Sequence, residues 1–301
     1  MWAKLPEMFA ALFIRMFGVI GLLLPRPVLL FVGRGIGEFA YLLAFRRRYL
    51  ALENIRLALG QEISPEEQRR VAVRSFAHLG MNLMEYFTFP YLNQRKVEGL
   101  TRISGEEHLV SALGMGKGVL CITGHMGNWD LLGSALAFRG YPVSLVSKIS
   151  RSRAVNRVWM DYREAVGVRI FSGDGVMKDI LRQLKGGGIV GLVVDQNALR
   201  KDGIFVPFFG REACTLTIPA VLARRTGAPV VPIYSFRDGS KLRIVIEAPL
   251  ESAEIEDMKE DVFQRTLRYS QWTEGVIKQH PEQWTWLHNR WRTRPPQEVS
   301  R

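Results

Sequence analysis

From about residue 100 onward, short runs rich in Val, Ile and Leu alternate with segments of helical length, and this alternation restricts the fold more than any other feature. Strand-like runs are read at Val119–Thr123, Tyr141–Val146, Val168–Phe171, Ile189–Val194, Pro229–Ser235 and Leu242–Ile246. Helical segments are read at Glu106–Leu113, Trp129–Phe138, Ala154–Val166, Val176–Leu184 and about Asp257–Lys278. Continuous apolar runs suit strands covered on both faces, and strands separated by helices of about ten to fifteen residues join in parallel. The expected fold class is α/β, a mostly parallel sheet flanked by helices. Before it, Leu50–Leu59 reads as helix, and Ser64-Pro65-Glu66-Glu67 is a capping box opening another helix that runs to about Phe87.

Met8 to Phe45 is dense in Leu, Phe, Ile, Val and Ala, with charges only at Arg15, Arg26, Arg34 and Glu38. Pro25 and Pro27 divide it into Met8–Leu24 and Val28–Phe45, and Arg46-Arg47-Arg48 follows at once. An apolar stretch ending in a cationic cluster suits a membrane whose cytoplasmic leaflet is anionic. Residues 1–48 are therefore expected to be a helical membrane anchor, either one spanning helix or a pair of interfacial helices, and residues 49–301 the α/β body. A helical hairpin buried in the core is the other reading of the same pattern. No small-residue cleavage site follows at the proper distance, so a removed signal peptide is not expected.

The chain carries 41 Lys and Arg against 29 Asp and Glu, a net charge of +12, which calls for an anionic partner. Nucleic acid falls behind a membrane surface or an acidic substrate, because the cations are spread along the chain without a helix-turn-helix, zinc-finger or aromatic RNA-binding motif. The two cysteines, Cys121 and Cys214, stand in unrelated contexts, so neither a disulfide framework nor a metal site is expected. No phosphate loop or dinucleotide fingerprint is present, and no cofactor is called for.

Gly124-His125-Met126-Gly127-Asn128-Trp129-Asp130 joins the strand Val119–Thr123 to its helix. Gly124 breaks the strand and Asn128 suits the helix N-cap, which leaves His125 in the loop and Asp130 in the first helical turn. From the loop, the imidazole can fold back onto the carboxylate. A carboxylate on one ring nitrogen fixes the tautomer and leaves the other free to take a proton, which makes His125 a candidate general base and Asp130 its orienter. A loop histidine satisfied by the helix cap is the alternative, and the spacing leaves both open. Asp195 ends the strand Ile189–Val194, where parallel sheets place site residues, or else caps the next turn.

His125-x4-Asp130 resembles the signature of the superfamily that moves acyl groups from thioesters to glycerolipid or glycolipid hydroxyls. The chain as a whole resembles the late acyltransferases of lipid A biosynthesis, the lauroyl/myristoyl transferase family. The matching segments are Arg-Arg-Arg-Tyr-Leu-Ala-Leu-Glu-Asn-Ile at 46–55, the His125 motif, Val-Asp-Gln at 194–196, Gly-Ile-Phe-Val-Pro-Phe-Phe-Gly at 203–210 and Pro-Glu-Gln-Trp-Thr-Trp-Leu-His-Asn-Arg-Trp at 281–291. Two departures stand out: many members carry Glu at the position of Asp130, and the Phe-Pro-Glu-Gly-Thr-Arg motif of the glycerophosphate branch is replaced by Val-Asp195-Gln196-Asn.

The resemblance implies an O-acyltransferase of lipopolysaccharide biosynthesis at the cytoplasmic face of the inner membrane. Its donor would be an acyl-carrier-protein thioester and its acceptor a phosphorylated glucosamine disaccharide lipid. It implies His125 and Asp130 as catalytic residues, and Arg163, Asn128, Asp195 and Gln196 as substrate-binding ones. Arg163, or backbone amides near Gly127 and Asn128, would then meet the developing oxyanion. Two alternatives are an acyltransferase acting on another glycolipid or lysophospholipid, and a non-catalytic membrane-binding protein that kept the fold. An intact dyad argues against the second.

Overall fold

The structure, a computed structural model, describes residues 18, 21, 23–147, 153–173, 175–251 and 255–296. Most of the apolar segment read at Met8–Leu24 lies outside them, as do Lys148 and Arg151 of a basic stretch near residue 150. Three helices come first: α1 (Arg26–Leu43), α2 (Phe45–Leu59) and α3 (Pro65–Tyr86). Ser64 caps α3 by accepting from the Glu67 amide at 3.2 Å. The reciprocal half of the capping box is absent, because the Glu67 carboxylate is drawn to Arg70 at 2.9 Å instead. α4 (Gln94–Leu100) then leads into the α/β body.

The body follows the order β1 (Thr101–Ser104), α5 (Glu106–Gly114), β2 (Val119–Thr123), α6 (Trp129–Phe138), β3 (Val143–Val146), α7 (Arg153–Ala165), β4 (Arg169–Phe171), α8 (Val176–Lys185) and β5 (Ile189–Val193). A hairpin of β6 (Gly203–Phe208) and β7 (Arg211–Leu216) comes next, then α9 (Ile218–Thr226), β8 (Val230–Asp238), β9 (Lys241–Ile246) and α10 (Met258–Gln279). Seven strands form one sheet in the order β1-β9-β8-β2-β5-β3-β4. Every pairing in it is parallel except β8 with β9. The α/β expectation is met. Several elements had no reading in the sequence: the short helices α4 and α9, the edge strand β1, and the hairpin β6–β7, whose Phe209-Gly210 turn has φ of 52° and 68°. Positive φ at both turn residues is the geometry that matches strand twist in a tight hairpin.

Central strands are sealed on both faces. Leu120, Ile122, Val190 and Leu192 pack toward α8, α9 and α10, while Val119, Cys121 and Ile189 face α5, α6 and α7. A third cluster joins α2 and α3 to the hairpin and to the C-terminal segment, through Ile55, Phe76, Phe208, Trp284, Trp286 and Trp291. Asn54 ties that segment down, donating to the carbonyls of Trp286 and His288, both at 2.7 Å. No single helix among the described residues is long and apolar enough to cross a membrane, and α1 and α2 meet at a bend of 95°. One side of α1 packs on α3 and the other is exposed.

Candidate active site

Strand register sets the site. Thr123 of β2 pairs with Val193 of β5, and two residues beyond each, at the carboxyl ends of adjacent parallel strands, stand His125 and Asp195. Neighbouring strands run about 4.8 Å apart, so side chains at matched positions beyond the sheet edge can meet. They do: Nδ1 of His125 lies 2.9 Å from Oδ1 of Asp195, and the His125 backbone N–H donates to Oδ2 at 2.8 Å. The indole N–H of Trp284 donates to the same Oδ2 at 2.6 Å.

Asp195 is 2% exposed. Burial by itself would raise its pKa, but the His125 charge and hydrogen bonds, with the Trp284 donor, outweigh this and lower it to about 2. Burial disfavours the charged form of His125 too, yet the charge and hydrogen bond of Asp195, with a smaller contribution from Asp130, hold its pKa above the ordinary histidine value. With Nδ1 engaged by the carboxylate, Nε2 is the basic nitrogen.

The contact expected between His125 and Asp130 is replaced by this one. Asp130 lies in the first turn of α6, where its Oδ1 accepts from Nε of Arg163 on α7 at 2.7 Å. Arg163 also donates through Nη1 to Ser147 at 3.3 Å. Burial disfavours its charge, but Asp130 more than compensates and raises its pKa. The orienting contact that the spacing assigned to Asp130 is thus made by Asp195, and Asp130 holds a guanidinium instead.

Asn128 is the N-cap the sequence predicts, but it does not reach a ligand space. Its Oδ1 accepts from the Leu131 amide at 3.0 Å and its Nδ2 donates to Glu85 at 2.8 Å, with the residue 3% exposed. The amide of Gly127, one candidate oxyanion donor, is spent on the Gln283 carbonyl at 3.1 Å. Gln196 does reach the site, its amide nitrogen lying 3.2 and 3.3 Å from the two His125 ring nitrogens.

The loop carrying His125 is clamped from three directions. Thr285 donates to the His125 carbonyl through its amide at 3.2 Å and its hydroxyl at 3.0 Å. Ser235 of β8 donates to the Met126 carbonyl at 3.2 Å, and Asn82 of α3 donates to that of Gly127. Gly127 has φ of 56°, and a Cβ there would stand 2.3 Å from the Ser235 carbonyl oxygen, so only glycine fits. Beneath the cap, Glu85 accepts from Arg237 at 2.6 Å and from Arg26 at 2.6 Å. Burial would raise the Glu85 pKa, but Arg237 and Arg26 hold it at about 2. The C-terminal segment buttresses the other half: His288 accepts from the Asn197 amide at 3.0 Å, and Arg290 donates to the Gln196 and Cys214 carbonyls at 3.3 and 2.8 Å. Sequence reading missed Glu85, Arg237 and the Trp284 contact, since none stands near the motif in the chain.

His125, Trp129, Asp130, Arg163 and Gln196 border a cavity of about 900 Å³ whose remaining walls include Leu145, Val146, Met177, Ile180, Leu192 and Ile218. A polar, titratable cluster against an extended apolar wall suits a reaction on a molecule with a long hydrocarbon part.

Residues 3–293 match the family described as bacterial lipid A biosynthesis acyltransferase. The lipid A biosynthesis lauroyltransferase of Escherichia coli (strain K12) is 28% identical over 280 residues, covering 90% of this chain and 88% of that one. The palmitoleoyltransferase of the same organism is 28% identical over 284 residues, covering 92% and 89%. A phosphatidylinositol mannoside acyltransferase of Mycobacterium tuberculosis (strain ATCC 25618 / H37Rv) is 28% identical over 223 residues, covering 72% and 69%. By a match that spans nearly its whole length, the chain belongs to the bacterial lipid A biosynthesis acyltransferases and is an O-acyltransferase.

Proposed function

We propose that this enzyme transfers a fatty acyl group from an acyl-carrier-protein thioester to a hydroxyl of a phosphorylated lipid A precursor, with His125 as general base. The observation that carries the mechanism is the His125–Asp195 pair at the polar side of an apolar cavity. Nε2 of His125 takes the proton as the acceptor oxygen attacks the thioester carbonyl, and Asp195 steadies the imidazolium. The tetrahedral intermediate then expels the thiolate, which recovers the proton from Nε2. A thioester is already activated, so no covalent enzyme intermediate is needed. Arg163, fixed by Asp130, is a cation available among the described residues to the developing oxyanion or to an acceptor phosphate.

Residues 1–48 attach the protein to the inner membrane, with the body on the cytoplasmic side and an acidic carrier protein drawn by the net charge of +12. The mycobacterial relative favours a second reading, a phosphoinositol mannoside or similar glycolipid as acceptor.

Purified enzyme with matched acyl-carrier-protein and coenzyme A donors, offered a lipid A precursor or a mannosylated phosphoinositide, separates these readings. Transfer from the carrier protein to the lipid A precursor alone is expected. His125→Ala is expected to retain under about a thousandth of it, the loss typical of removing a general base together with its orienting pair. Transfer only to the mannoside would sink the lipid A reading, and transfer only from coenzyme A the donor assignment.

A further inference from the structure

Gly33 and Gly37 of α1 cross Gly80 of α3 with no room between them: a Cβ on Gly37 would stand 2.1 Å from the Phe76 carbonyl oxygen, and one on Gly80 2.1 Å from that of Gly33. Small residues at such a crossing let the backbones touch and fix the helices to each other. Leu29, Leu30 and Tyr41 are buried on the same side. The opposite side of α1 is consequently held outward, and it is apolar. Phe31 is 75% exposed, Phe39 61% and Leu43 59%, and the strip continues past the bend through Phe45 at 64% and Tyr49 at 73%. Apolar side chains exposed in one continuous strip mark a surface made to be covered.

What covers it is indicated by the charges along its borders. A hollow of about 370 Å³ between α1 and α3 is lined by Arg34, Arg69, Arg70 and Arg74 against two glutamates, Glu38 and Glu66. Arg34 pairs with Glu38 at 2.7 Å and Arg70 with Glu66 at 2.6 Å, while Arg69 and Arg74 have no salt bridge among the described residues. Beyond the bend stand Arg46, Arg47 and Arg48, and the Arg48 guanidinium lies over the Phe45 and Tyr41 rings at 5.0 and 5.5 Å. An apolar strip edged by arginines matches an interface of hydrocarbon and phosphate, not a second copy of a surface this cationic.

We propose that the outward face of α1 and the start of α2 is an in-plane docking surface for an anionic lipid bilayer, with the arginine-lined hollow between α1 and α3 seating a lipid phosphate. This deepens the membrane attachment proposed above and rests on it. The helix lies along the bilayer, since its inner side is committed to α3 and its bend of 95° into α2 turns the chain along the body. Docking this way fixes how the cavity beside His125 faces the membrane, because α3 runs on from the glycine crossing to Asn82 and Glu85 under the site.

Cys121 and Cys214 are both buried, so Phe31→Cys and Phe39→Cys in the full-length chain offer selective spin-label positions. Labelled protein is bound to vesicles of phosphatidylcholine with and without phosphatidylglycerol, and oxygen against nickel-chelate accessibility reads depth. In-plane docking puts both labels at one shallow depth. A spanning helix separates them by about 12 Å, eight residues at the helical rise, and that result overturns the proposal, as do labels that stay in water or a protein that pairs through this face. The variant R69A/R74A is expected to lose about tenfold or more of its binding to the phosphatidylglycerol vesicles while R69K/R74K keeps it. Unchanged binding by R69A/R74A removes the phosphate seat. Acyl transfer by the wild-type chain to detergent-dispersed acceptor tests the enzyme reading separately, since no bilayer is present.

Discussion

An imidazole in a loop turns freely unless both its ring and its backbone are held, and in this protein the C-terminal segment helps to hold both. Trp284 fixes the carboxylate that fixes Nδ1, and Thr285 fixes the His125 carbonyl. Trp284→Phe keeps an aromatic ring but removes the N–H. A hydrogen bond to a charged group is worth about 1.5–3 kcal/mol, of which part is felt at the transition state, so kcat is expected to fall about tenfold with KM unchanged. Asp195 then faces His125 with a less neutralised charge, so the acid limb of the kcat profile moves to higher pH. A profile that does not move would mean that Trp284 only packs.

The base works when neutral. Its pKa is raised, so activity is expected to rise with pH through a midpoint above the ordinary histidine value of 6.5. Asp195→Asn takes away the charge that raises it, so the midpoint drops, and kcat falls by about a thousandfold or more as the tautomer is lost. Asp130→Asn leaves the tautomer alone and loosens Arg163, so its midpoint is expected to move far less. Rate measurements across pH on the two variants distinguish the carboxylates, and matching shifts would return the orienting role to Asp130. The motif spacing pointed to His125 with Asp130, and the end of the strand Ile189–Val194 pointed to Asp195, but neither pointed to the contact of His125 with Asp195. Seventy positions of chain separate them, and only strand register brings them together.

At the level of elements, the longer helices and the central parallel strands were legible because periodicity and caps act within a few residues, whereas the short helices α4 and α9 were not read. β1 was not legible: four residues pair with β9, which comes far later in the chain. The hairpin β6–β7 was hidden because its turn is Phe209-Gly210, without the Asn or Asp that usually announces one. The cap of α6 was readable, but its support was not, since Glu85, Arg26 and Arg237 come from α3, α1 and β8. Glu85→Gln leaves the buried Arg237 guanidinium and the half-buried one of Arg26 short of a counter-ion and is expected to cost about 3–5 kcal/mol in urea unfolding near neutral pH. A carboxyl with a depressed pKa contributes its stability above the unfolded value of 4.5 and loses it as pH falls toward about 2. The gap between wild type and variant is therefore expected to narrow over that window. A gap constant down to pH 2 would mean that the loss comes from packing and not from charge.

For the whole molecule, the sheet places His125 and Asp195 at the carboxyl ends of neighbouring strands, the apolar cavity opens beside them, and α1 presents an apolar face edged by arginines. Attraction of an acidic donor by a net +12 is screened over about 8 Å at physiological salt, so the apparent donor KM is expected to climb with ionic strength while kcat holds. A donor KM indifferent to salt would remove electrostatic recruitment. The central claim, that this chain acylates a lipid A precursor through His125, is tested most directly by mass spectrometry of lipid A from cells lacking the gene and complemented with wild type or His125→Ala. The expected result is one added acyl chain with the wild type and none with a variant present at equal abundance. Lipid A unchanged by the wild-type protein, or acylated equally by His125→Ala, would contradict the account.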